Sequence, residues 1–171
     1  EGAEVTEQAV QNSGADWTIV RCNWFNQNFS ESFMLQWVLS GEIALPAGDV
    51  AEPFVDADDI ADVAVAALMG AGHAGQLYEL SGPRLLTFTD VAAEIAKATN
   101  RDVHYMPITA EQFTAWLQEN GLPTEFTELV TTVLDGRNAH LTDGVQRALG
   151  REPRDFTDYA RATASTGVWG G

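Results

Sequence analysis

Short β-branched or apolar runs alternate with segments of helical period as far as residue 108, and that alternation limits the fold of this chain more than any other feature. Trp17-Thr18-Ile19-Val20-Arg21 follows the turn Ser13-Gly14 and reads as a short buried strand. Phe54-Val55, Gln76 to Leu80 and Val103 to Ile108 read as three more. Between them lie Glu1 to Asn12, with a helix-interior pattern, and Ile60, Val63, Ala64, Ala67 and Leu68, with amphipathic spacing. Phe88, Val91, Ala92 and Ile95 repeat that spacing. Phe25, Phe29, Phe33 and Trp37 stand four apart, which on one helix makes a slowly drifting aromatic stripe ended by Gly41. After residue 108 only helices are expected. Thr109-x-x-Gln112 is a capping box ahead of Phe113, Trp116 and Leu117. Phe126, Leu129, Val130 and Val133 form the next helix, and short helices follow near 143–149 and 156–164. The order predicts an α/β architecture with parallel strands. Four short strands make a thin sheet with open edges, which suits a segment that completes a larger one. A chain opening inside a helix at Glu1 points the same way.

With 171 residues, no internal repeat and no Pro/Ser linker, a single segment is expected. Its 25 acidic against 9 basic residues give a net charge of −16, which disfavours phosphate backbones and anionic membrane surfaces. Cys22, the only cysteine, excludes a disulfide framework and a Cys-rich zinc module. No apolar run of about 18 residues occurs. A cytoplasmic protein that binds neither nucleic acid nor membrane is expected.

Gly70-Ala-Gly72-His-Ala-Gly75 matches G-x-G-x-x-G, but a dinucleotide site needs a strand before the glycines and a helix after them. Here the order is inverted, so a helix end and a turn are expected. The cluster Asp56-Ala-Asp58-Asp59 has Ala61 and Ala67 where a calcium loop needs Gly and Glu, so it reads as an N-terminal helix cap. His73, His104 and His140 lie far apart and no metal is expected. Cys22 has no adjacent base to activate it and reads as a buried thiol. The segment Arg21 to Phe29 is the best functional candidate, because it leaves the carboxyl end of a strand, where open parallel sheets bind ligands. Its amides (Asn23, Asn26, Gln27, Asn28) stand beside Trp24, Phe25 and Phe29. Two readings stay open: a platform for a flat, partly polar ligand, or core aromatics with amides capping the next helix.

In order, Ser13 to Arg21, Asn23-Trp-Phe-Asn-Gln-Asn-Phe29, Phe54-Val-Asp-Ala-Asp-Asp-Ile-Ala61, Gly75 to Pro83 and the helix from Phe88 to Ala96 resemble the later half of an NmrA-like protein, an atypical member of the short-chain dehydrogenase/reductase superfamily. The resemblance implies the later strands and C-terminal helical region of a Rossmann-like NAD(P)-binding fold, without the N-terminal Gly-rich half. Residues 1–108 would end the sheet with its covering helices, and 109–171 would form a helical cap on the substrate side. It implies an NAD(P)H-dependent oxidoreductase of the quinone or carbonyl reductase type, with NADP or NAD bound by the intact protein. The alternative within the family is a non-catalytic, NAD(P)-sensing regulator acting through a protein partner. Cys22, Asn23, Trp24 and Phe25 would lie beside the cofactor. Trp24, Phe25, Asn28 and Phe29 would face a small planar substrate. Asp56 and Asp59 would cap a helix. Two departures stand out. Cys22 replaces a proline common in relatives, and Glu1 to Asn12 carries no Tyr-x-x-x-Lys pair, so no catalytic residue is assigned. Self-association through open strand edges is a further expectation.

Without the Gly-rich half, this chain alone should bind no dinucleotide. Titration calorimetry with NADPH should give no binding heat, and tight binding would overturn the resemblance-based reading.

Overall fold

The computed structural model describes residues 2–170, so Glu1, counted above in the first helix, and Gly171 lie outside the described residues. The chain begins with α1 (Gly2–Gln11), β1 (Thr18–Cys22), α2 (Asn28–Glu31), α3 (Met34–Ser40), β2 (Glu42–Leu45) and β3 (Ala51–Glu52). It continues through α4 (Ala57–Met69), β4 (Gln76–Leu80), β5 (Leu86–Thr87), α5 (Phe88–Thr99) and β6 (His104–Pro107). Four helices finish it: α6 (Ala110–Glu119), α7 (Phe126–Val133), α8 (Gly144–Leu149) and α9 (Phe156–Ser165).

The strands form three separate pairs rather than one four-stranded sheet. β1 and β4 run parallel with Thr18 opposite Gln76 and Cys22 opposite Leu80. β2 and β6 are also parallel, from Glu42 opposite His104 to Leu45 opposite Pro107. β3 and β5 are antiparallel and very short. Phe54-Val55 is not a strand but contributes one parallel bridge, Phe25 with Val55. β2 escaped the sequence reading because it follows α3 directly after Gly41 and has only two inward residues, Ile43 and Leu45. Gly41 makes that turn in the left-handed region, φ 85°, and an added Cβ would meet the Asp102 carbonyl at 2.8 Å.

The aromatic stripe also divides. Ser32 is extended between α2 and α3 (φ −105°, ψ −171°). Its hydroxyl donates to the Asn28 carbonyl at 2.6 Å and accepts from the Met34 N–H at 3.2 Å, offering the backbone an alternative to a continuous helix. Phe29 thereby enters the core against Phe54, Phe88 and Phe156, at centroid distances of 5.7, 6.2 and 5.7 Å. Phe33 and Trp37 turn instead towards α6, where Trp37 lies 4.8 Å from Trp116. Trp169, near the chain end, is buried and donates its indole N–H to the Phe29 carbonyl at 2.8 Å. A second, smaller core of Val55, Val63, Tyr78, Leu80 and Val145 joins the β1–β4 pair to α4 and α8.

Charge fastens the termini of these elements. Asp56 caps α4 by accepting from the Asp58 N–H at 2.9 Å. Asp59 does not cap. It is fully buried, meets Arg151 at 2.7 Å, pairs with the Arg154 guanidinium and accepts from the Arg154 N–H at 2.7 Å. Asp155 caps α9 and takes Arg84 Nε at 2.7 Å, which holds its carboxyl down at about 2.

Asp59→Ala should destabilise the chain by about 3 kcal/mol, the low end for a broken buried pair because both arginines remain partly exposed. Urea melts of the two proteins check this. Asp155 is ionised in the fold below the pH at which it protonates in the unfolded chain, so its stabilisation is complete above about 3.8 and is lost as pH falls towards 2. Thermal melts of the native chain and Asp155→Asn should therefore differ most above pH 5 and converge near pH 2.

Candidate functional site

Beyond Cys22 the chain leaves β1 and is stitched to its neighbours before α2 begins. The Asn23 N–H and side-chain amide both donate to the Leu80 carbonyl, at 3.3 and 2.9 Å. Val55 donates to the Trp24 carbonyl at 2.8 Å, and Asn26 donates to the Val55 carbonyl at 2.9 Å. Gln27 donates to Asp56 and accepts from the Ala57 N–H, both at 2.9 Å, so one amide ties the loop to the start of α4. These bonds hold the loop at the carboxyl end of the parallel pair and leave Trp24 half-buried and Phe25 40% exposed.

Across from the loop stands α7, and the space between them is a cleft of about 430 Å³. Cys22, Asn23, Trp24, Phe25 and Asn28 line one side with Phe33. Phe126, Leu129, Val130 and Val133 line the other, with Asn138 at the end. None of these residues is charged, and the aromatic and aliphatic groups outnumber the amides. Trp24 is braced edge-on against Phe88 at 5.9 Å. Asn138 donates to the Val133 carbonyl at 3.3 Å, which fixes its orientation at the cleft end.

The cleft therefore brings together Cys22, Asn23, Trp24, Phe25 and Asn28. It does not include Phe29, expected there from the resemblance: that ring is fully buried because the break at Ser32 turns α2 inward. The α7 wall escaped the sequence reading, since four apolar residues at helical spacing look alike whether they cover a core or a cleft. Cys22 also differs from expectation, being exposed at the strand end. The surrounding protein nonetheless solvates a thiolate poorly and pushes the thiol up to about 11.

A wider hollow of about 670 Å³ beside α9 is lined by Gln27, Asp56, Asp58, Asp158 and Tyr159, among others. Two pairs of its polar groups are engaged with one another: Gln27 holds Asp56, and Tyr159 donates to Ser30 at 2.8 Å. The glycine run closes α4 through the Gly70 N–H on the Ala66 carbonyl and reaches β4 with the Gly75 N–H on Trp17, at 2.8 and 2.7 Å. Its amides thus serve a turn between a helix and a strand. Among the described residues no cluster of three or more acidic, His or Cys side chains could hold a metal, and no helix is long and apolar enough to cross a membrane.

No family model matches the chain. It is 35% identical over 167 residues to an NAD(P)H azoreductase of Xenophilus azovorans, an alignment covering 93% of this chain and 57% of that protein. The structure of an NADPH-dependent quinone oxidoreductase of Escherichia coli complexed with NADPH matches with a TM-score of 0.78 at 25% identity, over 92% of this chain and 56% of that one. NmrA, a negative transcriptional regulator in complex with NAD, shares the fold with a TM-score of 0.65 at 19% identity, over 95% of this chain and 57% of its own. The α/β arrangement is that of the Rossmann-like reductases. In motif order and fold the chain is similar to the NmrA-like, atypical short-chain dehydrogenase/reductase proteins, and it spans a little over half the length of the relatives it matches.

Proposed function

We propose that this chain is the substrate-facing part of an NAD(P)H-dependent oxidoreductase whose aromatic cleft takes a small, planar quinone or carbonyl compound. The carrying observation is the uncharged cleft at the carboxyl end of the β1–β4 pair, walled by Trp24 and Phe25. The quinone oxidoreductase relative supports a quinone-type substrate, and the NAD(P)H azoreductase relative supports NAD(P)H-dependent reduction. A reduced nicotinamide, when bound, supplies hydride. The cleft fits its uncharged ring and amide, with Cys22 to Phe25 beside it, and offers no cation for the phosphates. The phosphates belong, on this reading, to the part of the relatives that this chain does not span.

Trp24 and Phe25 flank a flat ring, Asn28 and Asn138 orient a carbonyl, and Val130 and Val133 exclude water. Residues 109–171 then divide in role. α6 and α7 form the cap over the cleft, whereas α8 and α9 brace α4 and α5. Placement in the cytoplasm belongs to this reading, supported by the single cysteine.

Likeness to the regulator NmrA supports a second reading, a cofactor sensor that acts through a protein partner. It requires clearly different affinities for oxidised and reduced cofactor without turnover, and equal affinities by calorimetry would remove its basis.

Stopped-flow NADPH oxidation by the full-length protein with a panel of quinones and carbonyl compounds should show turnover. A rate no higher than background across the panel would defeat the reductase reading. Phe25→Ala should raise KM by about tenfold, the loss of one aromatic contact. At pH 7 Cys22 should react with iodoacetamide far more slowly than free cysteine, despite its exposure, and rapid labelling followed by mass spectrometry would contradict the raised thiol.

A further inference from the structure

Three polar side chains behind the cleft wall lack partners. Glu52 is fully buried with neither carboxyl oxygen hydrogen-bonded, Asn26 is fully buried with both amide atoms unmatched, and the Trp24 indole N–H is likewise unpaired. An orphaned buried polar group costs roughly 1–3 kcal/mol, so three together require an occupant or a function. Asp59 sharpens the contrast: equally buried, it is met by two arginines and a backbone N–H.

Backbone bonds place these groups in one neighbourhood. Val55 is strapped between the Trp24 carbonyl and the Asn26 N–H, and Glu52 sits three residues before it on β3. Glu52 pairs in register with Leu86, and Trp24 packs on Phe88, two residues further along. On the other side, the charge of Asp135 bears on Glu52, and Asp135 lies two residues past the cleft residue Val133. Glu52 thus belongs to the neighbourhood of the Trp24–Asn26 turn and the end of α7, outside the lining of the cleft itself. Asp135 is itself paired with Arg137 at 2.6 Å. On the β5 side, Asp90 is bound to the Thr87 N–H and hydroxyl.

We infer that Glu52 is the proton reservoir of the cleft: from outside the lining, its carboxyl passes a proton through ordered water, past Asn26 and the Trp24 indole, to a carbonyl oxygen bound there. This rests on the cleft being the substrate site. When an acceptor takes two electrons as hydride from a reduced nicotinamide, its oxygen is left anionic. One Glu52 O–H bond breaks, one O–H bond forms on the ligand, and solvent reprotonates the carboxylate through the same waters. Burial chiefly, and then Asp135, push the carboxyl up to about 7, where it can hold and release a proton at neutral pH.

The test needs no dinucleotide. Duroquinone, which has no open ring carbon for Cys22 to attack, is titrated into the chain and into Glu52→Gln. Quinone binding favours the neutral acid, so native affinity should fall by about tenfold from pH 6 to pH 8, whereas Glu52→Gln, which keeps a donor but cannot titrate, should be flat. Infrared spectra of the unliganded chain should show a protonated carboxyl band that disappears near neutral pH and is absent in Glu52→Gln. Equal pH dependence in the two proteins, or a band unchanged by the substitution, overturns the role of Glu52 while leaving the cleft assignment standing. Failure of both proteins to bind duroquinone at any pH, with the band present, overturns the cleft assignment and with it the proton donation.

Discussion

Two hydrogen bonds to the backbone of Val55, at 2.8 and 2.9 Å, hold the turn on which the aromatic cleft depends. They continue the parallel pairing of β1 beyond its end, where the direct partner has already changed from β4 to the segment leading into α4. Without them the chain from Asn23 to Gln27 would be an ordinary surface loop, and Trp24 and Phe25 would have no fixed direction. With them, two aromatic side chains face one helix across a gap, while Phe29, four residues after Phe25, drops into the core. The indole of Trp169 secures the carbonyl of that same Phe29 from the far end of the sequence.

Acidic residues meet three different fates here. Asp56, Asp155 and Asp90 cap helices, a use that favours ionised side chains at the positive end of the dipole. Asp59 is buried with its charge matched by Arg151 and Arg154, which locks the segment between α8 and α9 to α4. Glu52 is buried with no match. Asp59 and Glu52 are equally buried, so partner count, not exposure, distinguishes them.

Much of the fold was legible in local patterns. The capping box at Thr109, the cap at Asp56 and the stop at Gly41 depend on side chains a few residues apart, and all three occur. Loop aromatics at a strand end were likewise recognisable, and five of the residues named there line the cleft. The continuous aromatic helix was not, because a single serine hydroxyl competing for backbone partners outweighed the four-residue spacing. The short strands β3 and β5 were invisible for a simpler reason: two residues carry no period.

By itself, the sequence determined the α/β order, the helix boundaries set by caps and glycines, and the resemblance to the NmrA-like proteins. These rest on contacts within a few residues, which a linear pattern records. Only the tertiary structure decided that α7 is the opposite wall of the cleft, that Phe29 is core and Phe25 is not, and that Glu52 has no partner while Asp59 has three. Each of those depends on residues dozens of positions apart being brought into contact, and burial without a partner is a property of the assembled surroundings rather than of any residue type.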